Sequence, residues 1–561
     1  MKGVFFMIQA KIVSSLEKVF VDQHIDDFAT LTKISALKGE RVSIQIIHNY
    51  EIQGSSFLYQ PVRIKPRVEG DLQDCMTMRR VFSVPVTKTT HNCGRDDNYL
   101  RTQPGMFPDI LKPLYYDGSF SFTWGALNSV WVEFDLPDDV AAGKHTMTFS
   151  FDSGNTGSVS CSIDIEIIDA VLPKEDIYFT QWFHADCLAN YYNVEVWSEK
   201  HWEIVENFVK TARRNGINLL LTPVFTPPLD TAVGGERRTT QLIAVTKSGE
   251  RYEFDFTLLD RWIEMCNRQG VDYLEISHFF TQWGAAHAPK IMATVDGEYK
   301  KLFGWETDAA GEEYTVFLRT FLTELIAHLK TRGDDKRCFF HISDEPGSAH
   351  LESYKKAKAI VADILKDYTI MDALSNYEFY EQGVVEHPIP SNNHIKPFLD
   401  AEVKDLWTYY CVSQYNLVSN RYHSMPACRN RSIGMQMFKY NIAGFLHWGY
   451  NFYNNQYSGD PVNPYYDVTC DNAFPGGDAF SVYPENDGTA LESPRLIVFF
   501  EALQDIKAMK LAASLSSHEA VVECIEDAFG GEITFDTCTK TGDAMLRIRE
   551  AVNGLIKANL K

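Results

Sequence analysis

The stretch IYFTQWFHADCLANYYNVEVWSEKHWEIVENFVKTARRNGINLLLTPVF, residues 177–225, passes from a short apolar strand through an amphipathic helix to a second apolar strand. Its helical part, SEKHWEIVENFVKTARRNG (198–216), closes on a glycine, the residue that most easily turns left-handed at a helix end. The same rhythm continues downstream. Strands are predicted at VDYLEIS (271–277), CFFHIS (338–343), TIMDALS (369–375), LWTYYC (406–411), IAGFLHWG (442–449) and AFSVY (479–483). Helix-length segments such as EYTVFLRTFLTELIAHLKTRG (313–333) separate most of them. Eight strands in this alternation are what a (β/α)8 TIM-type barrel requires, and residues 173–511 are assigned to one. An open doubly wound sheet usually carries a Gly-rich first turn, which this stretch lacks.

Upstream of residue 172 the period changes to two. RVSIQIIHNY (41–50), SVWVEFDLP (129–137), KHTMTFSFDS (144–153) and SVSCSIDIEIID (158–169) alternate apolar and polar residues between turn signals. That pattern predicts an antiparallel β-sandwich over 1–172. MKGVFFMIQA imitates a short signal peptide, but no small-x-small cleavage site follows and AKIVSSLEKVFV alternates, so a first strand is expected there. PGMFPDILKPL (104–114) is expected to be a Pro-rich loop docked on the barrel. Residues 512–561 read as a helical extension, two helices around GGEIT.

The 561 residues are 45% hydrophobic and 23% charged, a globular mixture. Lys and Arg total 53 against 75 Asp and Glu, a net charge of −22, which repels phosphate backbones and anionic lipid. No nucleic-acid partner and no stable membrane insertion are expected, since no apolar run reaches the roughly 18–20 residues of a bilayer span. Eleven cysteines, an odd number without a CxxC, read as free thiols and favour a cytoplasmic location. Phosphate loops, GxSxG, HExxH and EF-hand patterns are missing, so neither cofactor nor metal is expected.

The sharpest local feature is CFFHISDEPGS (338–348), an apolar strand running into Asp344 and Glu345. At the C-terminal end of a barrel strand a carboxylate faces the active site; the alternative is a helix cap at Asp344 beside an exposed Glu345. Composition favours the first reading. Eight of ten tryptophans lie between Trp182 and Trp448, and thirteen of 27 tyrosines between Tyr377 and Tyr483, interleaved with asparagines. Aromatic faces with amide and carboxylate partners suit a sugar. Two adjacent residues have Cα atoms only about 3.8 Å apart. They approach a sugar from one side, unlike a retaining pair flanking the anomeric carbon at roughly 5–5.5 Å. Substrate-assisted hydrolysis resolves this: the 2-acetamido oxygen attacks, Asp344 holds the amide N–H, and Glu345 serves as acid and then base.

The chain resembles glycoside hydrolase family 123, the β-N-acetylgalactosaminidases. The resemblance rests on LKGERVSIQ, PGMFPDILKPL, TQWFHADCLANYYNVEVWSEKHW, LEISHFFTQWGAAHAPKIMA, LFGWET, HISDEPG, LWTYYC and GFLHWGYNFYN. It implies an N-terminal β-sandwich, a catalytic barrel, and retaining removal of terminal β-linked GalNAc from glycosphingolipid-type glycans. It also implies Asp344 as the acetamido-orienting residue and Glu345 as the acid/base. A broader β-N-acetylhexosaminidase or other glycan-active barrel enzyme, and a non-catalytic carbohydrate-binding protein, are the alternatives.

Further substrate contacts are expected from position. His184 and Asp186 follow the first barrel strand, His278 and Trp283 the third, Asn376 the fifth, and Trp448 and Asn451 a later one. A core role fits His278 equally well. Trp448 is the expected floor of the sugar site. Tyr409 or Tyr410 would bond the acetamido carbonyl, the choice turning on a one-residue register. Asp467, Asp471 and Asp478 read as solvated loop acids, and Arg237-Arg238 as the cap of a surface loop.

Overall fold

The computed structural model describes residues 5–53, 62–154, 157–174 and 176–560. Its N-terminal domain is built from two sheets. The strand Phe5–Ser14 pairs antiparallel with Arg41–Gln53. Asn128–Asp135, Met76–Val86 and Gly105–Pro113 complete a five-stranded sheet in that order. Lys33–Lys38, Ser158–Val171, Gly143–Asp152 and Arg67–Glu69 form the second sheet. Alternation places Ile12, Ile44, Ile46, Val130 and Phe134 against Met147, Phe149, Ile163 and Ile165 in a common core.

The signal-like N-terminal residues are strand from Phe5 onward. PGMFPDILKPL is not a loop: Gly105–Pro113 is a strand at the sheet edge. Pro108 is tolerated there because an edge strand lacks one row of ladder bonds, and the register shifts at its partner, between Phe82 and Ser83.

The domain that follows carries eight parallel strands in two sheets. One runs in the order Leu219–Thr222, Tyr273–Ile276, Cys338–Phe340, Thr369–Ala373 and His387–Ile389. The other holds Tyr178–Gln181 beside Gly444–His447 beside Trp407–Tyr409. At one meeting of the sheets the Asn218 N–H donates to Phe179 O (3.1 Å). At the other the Asn392 N–H donates to Tyr409 O (2.8 Å) and the Tyr409 N–H to Pro390 O (3.2 Å).

One predicted strand is misplaced. In AFSVY only Val482 and Tyr483 are extended, and Val482–Pro484 pairs antiparallel with Ala490–Glu492. The sixth parallel strand is instead His387–Ile389, three residues within EHPIPS whose prolines disguise it as a turn. The helices follow their end signals. Ser198 accepts from the His201 N–H to start Glu199–Arg214, and Gly333 closes Glu312–Arg332 at φ 78°.

The two domains are locked by buried charge as well as apolar packing. Arg41, Arg79 and Arg214 surround Glu133, Asp135 and Glu492. Asp109, on the edge strand, takes both guanidinium nitrogens Nε and Nη2 of Arg495 at 2.7 Å each. Leu16, Leu111 and Trp131 pack against Ile497, Val498 and Met545. Beyond the long helix Pro494–Leu515, the tail forms His518–Phe529 and Gly542–Asn559. The last of these reaches the sandwich, where Arg549 pairs with Glu40 (2.7 Å) and Glu550 accepts from the Ser35 hydroxyl (2.8 Å). The sandwich segment 91–99 also docks on the strand-and-helix domain. His91 meets Val412 O (2.7 Å), Tyr99 donates to Tyr415 O (2.6 Å), and Asp96 pairs with Arg429 (2.7 Å).

Candidate active site

A cavity of about 180 Å3 opens at the C-terminal ends of the parallel strands, with Trp182, Asp230, Trp283, Asp344, Glu345, Tyr409 and Trp448 in its wall. In an extended chain neighbouring side chains point to opposite faces. Asp344 and Glu345 escape this rule because Glu345 sits in the left-handed region, at φ 44°. The turn is fixed on both sides: the Glu345 N–H donates to Ala373 O (2.9 Å), and Asp344 O accepts from the Trp283 N–H (2.9 Å). Asp344 caps no helix, since the helix Leu351–Leu365 starts at His350.

The two carboxyls share one poorly solvated space. Burial, and then the charge of Glu345, push Asp344 well above the usual carboxylate range. Glu345 is open to the cavity, but the protein closely surrounding it raises it as well; the Tyr409 hydroxyl, donating to Oε1 at 2.6 Å, works the other way. Like charges this close resist double ionisation, so the pair is poised to hold one proton.

Behind the pair lies a buried relay. His341 joins Glu275 (2.7 Å) and Asp372 (3.2 Å) through its two ring nitrogens. Burial opposes a charge on His341, but hydrogen bonds to Asp372 and Glu275 outweigh it and lift the ring to about 10. The resulting imidazolium lies close enough to Asp344 to favour its anion. Glu275 also accepts from the Trp182 indole N–H (2.6 Å), which fixes that ring in the cavity wall. His278, His341 and Asp372 offer ligand atoms within 4.8 Å of one another. Both His341 nitrogens are already engaged, so this cluster fits a hydrogen-bond relay better than a metal cage.

Trp448 lines the cavity and donates its indole N–H to Asp478 Oδ2 (3.1 Å). Asp478 is thus no solvated loop acid. It is fully buried, and burial raises it to about 7. Tyr409 faces the pair, whereas Tyr410 turns outward and donates to Asn430 Oδ1 (2.7 Å), which settles the register.

Five other expected contacts stand outside the wall instead. The His184 ring meets Trp448 O (2.9 Å), and the Asn451 amide pairs with the His184 backbone. Asp186 takes a bidentate bond from Arg237 (2.6 and 2.8 Å). Arg237 is therefore buried, not a surface cap, and its Nη2 also reaches His184 Nδ1 (3.0 Å). His278 is buried and stacked on His341, 4.3 Å between ring centres. Asn376 is tied to Ser348 and to the Glu378 N–H, outside the cavity wall.

Arg237→Met leaves Asp186 charged and unpaired in the interior. A stability loss of about 3–5 kcal/mol is expected, read as a lower denaturant midpoint with unchanged slope; a midpoint equal to wild type would refute it.

Residues 182–512 match the family description "Glycoside hydrolase 123, catalytic domain". The chain belongs to glycoside hydrolase family 123. A family 123 glycoside hydrolase from Clostridium perfringens, studied for glycolipid glycan hydrolysis, shares its fold at TM-score 0.74. The two are 15% identical, and the alignment covers 98% of each chain. A putative glycoside hydrolase from Bacteroides vulgatus aligns over 86% of this chain and 78% of its own, at 12% identity and TM-score 0.31. No curated protein matches the chain.

For this family 123 chain the sequence reading passed over Asp230, Gln282, Gln456, Tyr457 and Phe474, all in the cavity wall. Asp230 had a findable signal, since it follows the second strand in LLLTPVFTPPLD. The segment bearing Gln456 and Tyr457 had none, because it joins no element of the strand–helix alternation.

Proposed function

We propose that this glycoside hydrolase is an exo-acting, retaining β-N-acetylgalactosaminidase that works by substrate-assisted catalysis. The observation that carries the proposal is the left-handed turn that sends the neighbouring carboxyls Asp344 and Glu345 into one cavity. Two groups on one side of the sugar leave the opposite face of the anomeric carbon without a protein nucleophile. The acetamido oxygen then attacks intramolecularly, a gain of effective concentration that needs no further residue. Asp344 accepts the acetamido N–H, which holds its negative charge and leaves the shared proton on Glu345. Glu345 gives that proton to the leaving oxygen, then takes one from the water that opens the oxazoline. Tyr409 can turn its one hydroxyl proton from Glu345 Oε1 to the acetamido carbonyl once the sugar is bound, and Trp448 is suited to stack on the sugar ring.

In the same reading the eight parallel strands are one (β/α)8 barrel over residues 173–511, between a sandwich (1–172) and a helical extension (512–561). The natural substrates are glycans ending in β-GalNAc, of the glycolipid type for whose hydrolysis the Clostridium perfringens enzyme was studied. Among the described residues no helix is long and apolar enough to cross a membrane.

Matched aryl β-glycosides test the reading. The GalNAc glycoside is expected to be cleaved, the galactoside to be inert, and the GlcNAc glycoside to measure strictness at C4. Proton NMR of the nascent sugar is expected to show β-GalNAc first. The α-anomer first would mean direct attack by water and would sink the mechanism.

A further inference from the structure

The cavity holds a third carboxyl that the chemistry above does not use. Asp230 is clamped by its backbone. Its N–H donates to Gln282 Oε1 (2.6 Å), its carbonyl accepts from the Ser458 hydroxyl (2.7 Å), and its φ is 40°. One carboxyl oxygen, Oδ2, accepts from the Tyr457 N–H (3.0 Å). The other, Oδ1, accepts no hydrogen bond among the described residues. An asparagine would serve the clamp equally well, so the clamp alone does not explain a carboxylate here.

Gln282 supplies the complementary half. Its Oε1 must face the Asp230 N–H, which leaves the amide nitrogen Nε2 on the other side. That nitrogen is buried and has no partner among the described residues. A spare acceptor and a spare donor thus sit on two residues of the same cavity wall, already hydrogen-bonded to each other. A hydroxyl group, which donates one bond and accepts others, satisfies both. The next residue, Trp283, bonds to the backbone of Asp344, so the two-residue step Gln282–Trp283 fixes the spacing between Asp230 and the catalytic pair.

We propose that Asp230, with Gln282, binds a ring hydroxyl of the terminal sugar and determines which sugar the enzyme accepts. The proposal rests on the glycosidase reading given above and adds a specificity element to it. The hydroxyl belongs to the non-reducing sugar, at C3, C4 or C6, because C2 carries the acetamido group and C1 the leaving group. Burial of Asp230, which raises it to about 6 despite the Tyr457 N–H and Arg237, fits a carboxylate that a bound hydroxyl would stabilise.

The test uses the full chain with aryl β-GalNAc and its 3-, 4- and 6-deoxy analogues. Wild type is expected to lose about 10–100-fold in kcat/KM on one analogue, the range for a hydrogen bond to a charged group. Asp230→Asn keeps an acceptor for the Tyr457 N–H as well as the backbone bonds, whereas Asp230→Ser keeps the backbone bonds and loses the carboxyl; thermal unfolding of both separates misfolding from lost recognition. In Asp230→Asn the ratio of parent to that analogue is expected to collapse to within about threefold of unity. If the variant discriminates all three analogues as wild type does, or wild type discriminates none, the hydroxyl role is overturned and the glycosidase reading stands. If wild type fails to cleave the parent GalNAc glycoside, the reading fails and the proposal goes with it.

Discussion

Glu345→Gln is expected to lower kcat/KM on a β-GalNAc disaccharide by about 10²–10⁴-fold. The loss should shrink for aryl glycosides whose leaving groups need no proton. The fold should not suffer: Glu345 is open to the cavity, and its surroundings raise its pKa, favouring the neutral form. The neutral amide resembles that form, and the melting temperature at neutral pH is expected to equal or exceed wild type. The pH profile supplies a second readout. A general acid works only while protonated, so kcat/KM falls as pH rises through the Glu345 pKa, which lies above the ordinary glutamate value. Tyr409→Phe removes the hydrogen bond that favours the charged form and is expected to move that falling limb to higher pH. A limb that moves down, or near-normal disaccharide turnover by Glu345→Gln, would remove Glu345 from the role.

Asp344→Asn is expected to cost about 10²–10³-fold, the scale of losing one preorganised electrostatic contact in a dry site. As the oxazoline closes, positive charge grows on the acetamido nitrogen, and the amide of asparagine cannot balance it. In the wild type, fluorinating the N-acetyl group draws electron density from the attacking oxygen, and the rate is expected to drop with each fluorine. The proposed mechanism uses the ionised form of Asp344, so activity is expected to rise as pH climbs through its raised pKa, opposite in sign to the Glu345 limb. An Asp344→Asn enzyme within a few-fold of wild type, with its usual fluorine dependence, would show that this carboxylate does not serve the acetamido group.

The parts of this site that were legible in the sequence are those where chemistry and period coincide. CFFHISDEPGS states an apolar strand, a turn and two carboxyls in eleven letters, and Trp448 directly follows the short strand Gly444–His447. His184, Asp186 and Asn451 misled for a physical reason. Polar residues after a barrel strand can face the cavity or brace the loops behind it, and the bracing partner, Arg237, lies 51 residues from Asp186. No local pattern announces such a pair. The strand His387–Ile389 was hidden because its hydrogen bonds come from neighbouring strands, whereas its prolines speak only of local backbone preference. Register at Tyr409 and Tyr410 likewise depends on which partner the strand meets, here Gly444–His447.

The ion pair between Glu40 and Arg549 joins residues 509 apart. On a ribosome adding about 5–20 residues per second, the sandwich must therefore wait tens of seconds for the helix that covers one of its faces. During that time Glu40 keeps the Leu37 N–H (2.8 Å) but lacks its guanidinium partner, and the Ser35 hydroxyl faces water or a chaperone. A newborn chain halted just short of residue 542 would already carry every cavity residue yet lack one of the contacts that join its two domains. Nonsense changes late in the reading frame, far from Asp344 and Glu345, are then expected to lower the yield of folded protein. They would act on how much of it survives its own synthesis.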